Sequence, residues 1–265
     1  MIVSTYHTHS TFSDGKNSLE EMVLAAIEAG MPELGFSDHA PMSFRCNWSL
    51  RAERLEEYKK EVKRLKEKYK DQIKIYLGIE QDYYSIPAEG YEYILGSVHY
   101  IYKDGVYLEL DKSAETTREN IEKHYGGDGV AYAVDYFKLV KDVVKVTNCQ
   151  IIGHFDLVTK FNEKMPMIDT TDPRYIQAYT EAIEELLKTD AIFEINTGAI
   201  SRGYRTSPYP SEKIIDLIAK GKKPFAICSD THSVDSIATN LELEREKLEK
   251  KGYTYIKSLT EILGK

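Results

Sequence analysis

The 265-residue sequence has little cysteine, no long apolar run and no signal-peptide pattern. Its three cysteines, Cys46, Cys149 and Cys228, lie far apart and form no C-x-x-C pair, so a reducing compartment is the simpler interpretation. No apolar stretch approaches the roughly 20 residues that span a bilayer, and the first residues lack a basic region followed by an apolar one. We therefore expect a soluble, cytoplasmic protein with no membrane partner.

The sequence also lacks an excess of positive charge. Asp and Glu number 43 against 35 Lys and Arg, which gives a formal net charge of −8. This balance argues against a general binder of nucleic acids or anionic membranes, and an anionic substrate would need a local positive centre. The hydrophobic fraction of 42% and the mixture of charges exclude a disordered chain.

No internal repeat and no Pro- or Ser-rich linker marks a domain boundary. A prior of roughly 150 residues per domain allows one or two domains, but α/β barrels commonly run to roughly 250 residues as one unit. We therefore predict a single domain over residues 1–265.

Short apolar runs alternate with helical stretches, as in a parallel sheet with crossover helices. The segment Asp104–Gly129 fits no simple unit and is expected to form an excursion at the mouth of a barrel. Helices are predicted after a capping box at Ser18, over the apolar stripe from Leu55 to Tyr69, and over three later segments, Val130–Val146, Tyr175–Leu187 and Ser211–Lys220. Seven runs have the length of buried strands, namely Ile2–Tyr6, Leu34–Ser37, Ile73–Ile79, Tyr93–Val98, Gln150–Gly153, Ala191–Ile195 and Pro224–Ser229.

Polar residues follow each predicted strand, and six of the seven histidines are among them. An isolated histidine such as His124 is more often a packing or surface residue, but six in succession predict a shared site. The carboxyl ends of parallel barrel strands meet at one rim, which brings such residues around one cavity. The strand-end residues are His7, His9, His39, Glu80, His99, His154, Asn196, Asp230 and His232.

This set of side chains favours a metal centre. Imidazole and carboxylate ligands without thiolates suit Zn, Mn or Fe. The carboxylates of Asp14, Glu80 and Asp230 would crowd a partly dry cavity unless divalent cations offset their charge. His7 and His9 lie two residues apart on a strand and point to the same side. Because the ligands outnumber what one ion can take, we predict two or three divalent ions.

The ordered motifs resemble those of the polymerase-and-histidinol-phosphatase (PHP) superfamily. Within it, the histidinol-phosphate phosphatase branch is the most similar, on the stretch Asp38–Pro41, the stretch Gly96–His99, and Asn196-Thr197-Gly198 followed by Arg202. The superfamily motifs are His7-Thr8-His9-Ser10, Asp14-Gly15, Ser37-Asp38-His39-Ala40, Gly78-Ile79-Glu80, Gly96-Ser97-Val98-His99, Gly153-His154-Phe155-Asp156 and Ser229-Asp230-Thr231-His232.

The resemblance implies a distorted, TIM-like (β/α)7 barrel that forms a single PHP phosphoesterase domain with three metal ions. It also implies the ligands of each ion. Some members of the family have a histidine near the position of Asp14. The carboxylate that this chain has there would affect which metal the third site binds, or how tightly it binds it. The first ion would take His7, His9, Glu80 and Asp230; the second Glu80 as a bridge, His99 and His154; the third Asp14, His39 and His232.

The activity implied is the metal-dependent hydrolysis of L-histidinol phosphate to L-histidinol and phosphate, in histidine biosynthesis. A hydroxide that bridges two ions would attack phosphorus, since metal ions lower the pKa of water from about 15.7 to near 7. Glu80 and Asp230 are the candidate catalytic residues, and Asp230 and a metal-bound water are equal candidates for the acid that protonates the leaving oxygen. Arg202 and Lys160, in loops at the same rim, are the candidate phosphate ligands.

Two further carboxylates lie close to predicted ligand histidines. Asp38 precedes His39, and Asp156 follows His154 by two residues. Each is a candidate to orient an imidazole through a hydrogen bond, or equally to cap the helix that follows.

Two alternatives stay open. A PHP phosphoesterase could act on another substrate, such as a nucleotide, a nucleic-acid end or phosphotyrosine, although the basic stripes and appended domains expected of a DNA enzyme are missing. A metal-binding barrel without catalysis would lack some ligands, whereas the motif set is complete. The oligomeric state and the identity of the metals are not determined by the sequence.

Overall fold

The computed structural model describes residues 3–87 and 89–263, which form a curled parallel sheet covered by helices. The strands are β1 (Glu33–Phe36), β2 (Lys74–Asp82), β3 (Tyr93–Ser97), β4 (Tyr100–Lys103), β5 (Val106–Glu109), β6 (Ile151–Ile152), β7 (Ile192–Asn196) and β8 (Phe225–Cys228). The helices are α1 (Leu19–Glu28), α2 (Leu55–Lys68), α3 (Ala114–Tyr125), α4 (Gly129–Thr147), α5 (Pro173–Leu186), α6 (Gly198–Ser201), α7 (Glu212–Ala219) and α8 (Leu241–Lys251). Short 3₁₀ helices lie at Ala52–Arg54, Leu157–Thr159, Val234–Ser236 and Leu259–Glu261.

The main sheet has the strand order β1-β2-β3-β6-β7-β8, and every pair in it is parallel. The predicted first strand, Ile2–Tyr6, differs, because it forms no regular strand and Ile2 lies outside the described residues. Instead, Thr5 pairs with Leu34 beside β1, and Thr8 pairs with Thr231 just after β8. The amino-terminal segment thus links the two edges of the sheet, which confirms the distorted α/β barrel predicted from the sequence.

The predicted helices form where their capping and periodicity signals place them. At the start of α1, Ser18 accepts a hydrogen bond from Glu21 N while the Glu21 side chain accepts one from Ser18 N, which is a complete capping box. Helix α2 buries Tyr58, Val62 and Leu65 and turns its charged residues outward. No helix in the described part of the chain combines the length and the apolar character needed to cross a membrane.

The inner face of the barrel sheet is apolar at the amino ends of the strands and polar at their carboxyl ends. Residues on one face of a strand recur every second position, so Tyr76, Gly78, Glu80 and Asp82 of β2 share the inner face. At the amino ends of the strands this face is apolar, and the carboxyl-terminal segment closes it. The apolar cluster there consists of Tyr6, Tyr76, Tyr93, Leu95, Ile151, Ile192, Ala226, Cys228, Ile256, Leu259 and Ile262. At the carboxyl ends the same face carries carboxylates and imidazoles.

The predicted excursion contains a hairpin and a helix. Strands β4 and β5 pair antiparallel across Asp104 and Gly105, both of which have positive φ (51° and 80°), as a two-residue hairpin turn requires. Leu110 N then donates to His99 O at 3.0 Å, which returns the chain to the barrel rim. The hairpin therefore lies beside a predicted metal ligand, and α3 follows it.

Candidate metal centre

All nine predicted metal ligands lie together at the carboxyl end of the barrel. They fall into four overlapping groups, in each of which the candidate ligand atoms are within 4.8 Å of one another. The groups are His9, Asp14, His39 and His232; His7, His9 and Asp230; His7, Glu80 and His154; and His39, Glu80 and His99.

Glu80 lies at the centre of this cluster and is 1% exposed. Its Oε2 lies 3.2 Å from His7 Nε2 and 2.8 Å from His39 Nδ1. Its Oε1 lies 3.1 Å from His154 Nε2 and 3.5 Å from His99 Nε2. Oε2 also lies 3.6 Å from His9 Nε2. The two carboxylate oxygens therefore face different sets of imidazoles, as a carboxylate shared by two cations does.

Two further carboxylates complete the cluster on the side of β8. Asp230 Oδ1 lies 3.4 Å from His9 Nε2 and 3.6 Å from His7 Nε2. Asp14 lies 3.6 Å from His39 Nε2 and 3.3 Å from His232 Nε2. The grouping differs from the implied assignment in several respects. His99 and His154 fall in separate groups, with His39 and with His7 respectively, and His9 Nδ1 also lies 3.9 Å from Asp14. His9 thus joins the Asp14 group as well as the group of His7 and Asp230.

Several buried atoms of the cluster have no hydrogen-bond partner. They are Nε2 of His7, both ring nitrogens of His9, Oε2 of Glu80 and Nδ1 of His154. An unsatisfied buried polar atom costs roughly 1–3 kcal/mol, and such atoms are rare in folded proteins. Divalent cations would satisfy the inward-facing atoms together, so these residues fit a metal centre.

Electrostatics keep the central carboxylates ionised. Burial alone would raise the pKa of Glu80, but His7, His39 and His99 hold it well below its usual range. Burial also opposes the ionised form of Asp230, whose pKa Arg202 and His7 nevertheless hold well below its usual range. Both side chains are therefore available as anionic ligands.

Two carboxylates that sequence reasoning missed orient the ligand histidines. Glu194 Oε1 lies 2.7 Å from His7 Nδ1, and Asp82 Oδ2 lies 3.2 Å from His99 Nδ1. Glu194 is on the inner face of β7, and Asp82 is on the inner face of β2 two residues after Glu80. The period-two alternation of a strand, which sequence reasoning applied to His7 and His9, was the available signal for both.

Asp38 and Asp156, which were predicted to orient ligand histidines, form their hydrogen bonds with other residues. Asp38 accepts hydrogen bonds from Ser10 N at 2.9 Å and from Ser10 Oγ at 2.8 Å, and so supports the turn after the first motif. Asp156 accepts from Arg205 Nη1 at 3.3 Å and from Ser211 N at 3.0 Å. The hydrogen bonds of Asp38 and Asp156 thus go to neighbouring segments and not to a ligand imidazole.

The two predicted phosphate ligands both line the cavity, and both have partners there. Arg202 Nη2 donates to Asp230 Oδ2 at 2.9 Å, and Arg202 Nη1 lies 2.9 Å from His232 Nδ1. Lys160 Nζ donates to the Asp111 carbonyl oxygen at 3.0 Å and lies 3.4 Å from Asp111 Oδ2. These contacts fix both cations at the cavity wall.

The cavity has a volume of about 340 Å³ and opens at the barrel mouth. Trp48, Glu109 and Asp111 line it as well, and sequence reasoning had not assigned Glu109 or Asp111 to the site. His124 does not belong to the cavity, because its ring pairs with Asp104 at 2.9 Å on the hairpin turn. It is the one histidine that was expected to lie outside the site.

Comparisons with known proteins agree with this geometry. The sequence model of the PHP domain family matches residues 5–198. A curated relative from Schizosaccharomyces pombe, named "Probable histidinol-phosphatase", is 27% identical over 281 residues, which cover 94% of this chain and 86% of the relative.

Two solved structures have the same fold. A candidate histidinol phosphatase from Listeria monocytogenes has a TM-score of 0.79 and 26% identity, over 91% of this chain and 99% of that one. The histidinol phosphate phosphatase of Lactococcus lactis, complexed with zinc, L-histidinol and phosphate, has a TM-score of 0.72 and 22% identity, over 96% of this chain and 95% of that one. Since the family match spans well over half of the sequence and includes the amino-terminal segment that carries His7 and His9, the chain belongs to the PHP domain family.

Proposed function

We propose that the protein is a metal-dependent phosphomonoesterase that hydrolyses L-histidinol phosphate to L-histidinol and inorganic phosphate. The observation that carries the proposal is the cluster around Glu80, in which the two carboxylate oxygens face different sets of imidazoles at the floor of an open cavity. The names of the relatives in the same family support histidinol phosphate as the substrate.

The proposal includes two or three divalent ions. His7, His9, Glu80 and Asp230 would hold the first; His99 and His154 would hold a second together with Glu80; and Asp14, His39 and His232 would hold a third. When bound, such ions supply Lewis-acid charge for the phosphoryl oxygens and lower the pKa of water. Zinc is the first candidate because the Lactococcus lactis protein was crystallised with it, and the nitrogen and oxygen donors also suit manganese or iron.

The chain's own residues position the substrate and the ligands. Arg202 holds Asp230 in place through Nη2 and, at the cavity wall, offers its remaining N–H groups to a phosphate. Lys160, fixed by Asp111, adds a second positive charge to the same wall. Because Asp230 is paired with Arg202 as an anion, water is a better candidate than Asp230 for the acid that protonates the leaving oxygen.

The proposal extends to the whole chain and to its location. We propose that residues 1–265 form one phosphoesterase domain and that the protein works in the cytoplasm, where histidine is made. The free state of Cys46, Cys149 and Cys228 supports a reducing compartment.

A metal analysis followed by a phosphate-release screen tests the proposal. The screen uses L-histidinol phosphate, a nucleoside monophosphate, a DNA 3′-phosphate, phosphotyrosine and p-nitrophenyl phosphate. We expect the highest kcat/KM with L-histidinol phosphate and at least two equivalents of divalent metal. The Glu80→Gln variant, purified in parallel, controls for contaminating phosphatases. A higher kcat/KM with any of the other esters would refute the proposed substrate, and a metal-free protein of full activity would refute the mechanism.

A further inference from the structure

One wall of the cavity carries a carboxylate that the metal cluster does not use. Glu109, at the end of β5, lines the cavity and is half-buried. Its Oε1 accepts a hydrogen bond at 3.1 Å from Nε1 of Trp48, which also lies 3.1 Å from the hydroxyl of Tyr100. The indole N–H therefore holds the Glu109 side chain at the cavity wall.

Glu109 differs from the other carboxylates of the cavity in having no cationic partner. Asp111 pairs with Lys160 at 3.4 Å, and Asp230 pairs with Arg202 at 2.9 Å. Asp14 lies within 4.0 Å of three imidazoles. No Lys, Arg or His nitrogen among residues 3–87 and 89–263 forms an ion pair with Glu109. Its negative charge is thus available to a cation that enters the cavity.

The position of Glu109 in the fold separates it from Arg202, one of the two residues expected to hold phosphate. Glu109 ends the second strand of the hairpin that comes after β3, whereas Arg202 lies in the loop after β7. Strand β6, which leads to His154 and Lys160, lies between β3 and β7 in the sheet. A substrate with phosphate near Arg202 and the metal cluster would therefore extend its other end toward a different part of the rim.

Aromatic rings give this part of the wall a fixed shape. The Trp48 ring meets the rings of His39 and His99 edge to face, with centroids 4.5 Å and 5.4 Å apart. It is parallel to Tyr100 within 4°, at a centroid distance of 6.0 Å. A carboxylate that accepts only one hydrogen bond from the indole edge keeps acceptor positions for an ammonium group, which gains a charge-assisted hydrogen bond and an ion pair there.

We propose that Glu109, held by Trp48, binds the ammonium group of the substrate and so selects phosphate esters whose alcohol carries an ammonium group. This inference rests on the proposed function, and it names the residue that distinguishes L-histidinol phosphate from neutral esters. A cavity of about 340 Å³ fits an ester of this size.

The test compares two esters that differ only in the ammonium group. L-histidinol phosphate is assayed beside its deamino analogue, imidazolylpropyl phosphate, with the parent protein and the Glu109→Gln variant. We expect the ratio of the two kcat/KM values to fall about tenfold to hundredfold in Glu109→Gln, mainly through KM for L-histidinol phosphate. Glu119→Gln, which removes the same charge from an exposed position on α3, is expected to keep the parent ratio.

A second variant tests the role of the indole N–H. Trp48→Phe keeps an aromatic ring and removes the donor to Glu109, so the same ratio is expected to fall, by less than in Glu109→Gln. Hydrolysis of p-nitrophenyl phosphate by each variant verifies that the metal cluster is assembled.

The outcomes separate this inference from the proposed function. If the parent prefers L-histidinol phosphate and Glu109→Gln keeps that preference, Glu109 does not bind the cation and the proposed function stands. An equal loss with both esters in Glu109→Gln would also refute the inference, since it would indicate a role in phosphate turnover. A parent protein that hydrolyses p-nitrophenyl phosphate but not L-histidinol phosphate would overturn both.

Discussion

Replacing Glu194 with Gln is expected to weaken metal binding without preventing folding. Glu194 is fully buried and accepts three hydrogen bonds, from His7 Nδ1 at 2.7 Å, His154 N at 2.8 Å and Asn196 Nδ2 at 3.0 Å. A carboxylate can only accept, so His7 carries its proton on Nδ1. In the neutral, metal-binding form of His7, the lone pair of Nε2 then faces the cavity, where that atom has no hydrogen-bond partner within the protein.

A glutamine amide cannot satisfy the same three donors. If its oxygen faces His7, its NH2 group meets the fixed backbone N–H of His154. If its NH2 group faces His7 instead, the ring must move its proton to Nε2, and that nitrogen can no longer bind a cation. Loss of such a hydrogen bond to a ligand histidine typically lowers metal affinity about 10- to 100-fold, or about 1.4–2.8 kcal/mol.

The matched control is Glu33→Gln, at the other end of the barrel. Glu33 is also buried, and it accepts hydrogen bonds from Tyr6 Oη at 2.7 Å and Leu259 N at 3.0 Å, with no contact to a predicted ligand. The assay is the zinc dissociation constant, measured by competition with a chromophoric chelator, together with thermal unfolding of the metal-free proteins. We expect both variants to unfold at lower temperature and only Glu194→Gln to bind zinc more weakly. Parent-like zinc affinity in Glu194→Gln, or an equal loss in Glu33→Gln, would refute the reasoning.

Three other outcomes are expected. Glu80→Gln should abolish phosphate release, because an amide cannot make anionic contacts with two cations, and it should keep the circular dichroism spectrum of the parent. Turnover near the parent rate would disprove that Glu80 bridges two cations. Arg202→Ala should lower kcat/KM for L-histidinol phosphate about tenfold to hundredfold. Because Arg202 also holds Asp230, the variant should bind less metal as well. Parent-like kinetics in excess zinc would exclude a contact between Arg202 and phosphate. Chelation should lower Tm and added zinc should restore it, since cations offset the buried carboxylates; an unchanged Tm would argue against a buried metal centre.

The cluster was predictable because strands impose a strict alternation. Glu80 follows Tyr76 and Gly78 on the inner face of β2, and the parallel strands bring their carboxyl ends to one rim. Ligands far apart in sequence therefore converge without any knowledge of the loops. The amino-terminal strand was only partly predictable, because its pairing is reduced to bridges at Thr5 and Thr8.

Nearness in sequence misled the choice of orienting carboxylates. Asp38 is next to His39, but consecutive residues of an extended chain point to opposite faces, and Asp38 turns to Ser10. Glu194 is remote from His7 in sequence and close to it in space, because β7 and the amino-terminal segment share the barrel interior. Alternation identifies the inner face, but it does not distinguish a metal ligand from a carboxylate that orients one.

The contact between Trp48 and Glu109 was not predictable from sequence, for a different reason. Trp48 and Glu109 are 61 residues apart, and their contact depends on how the loop before α2 and the β4–β5 hairpin pack against each other. No periodic pattern encodes such a contact, because neither partner belongs to the barrel sheet. The strand ends supply charges suited to phosphate chemistry, whereas these loops shape the space for the alcohol. Members of one fold family can therefore share the metal cluster and differ in substrate, and Glu109 is where we expect that difference to be measurable in this chain.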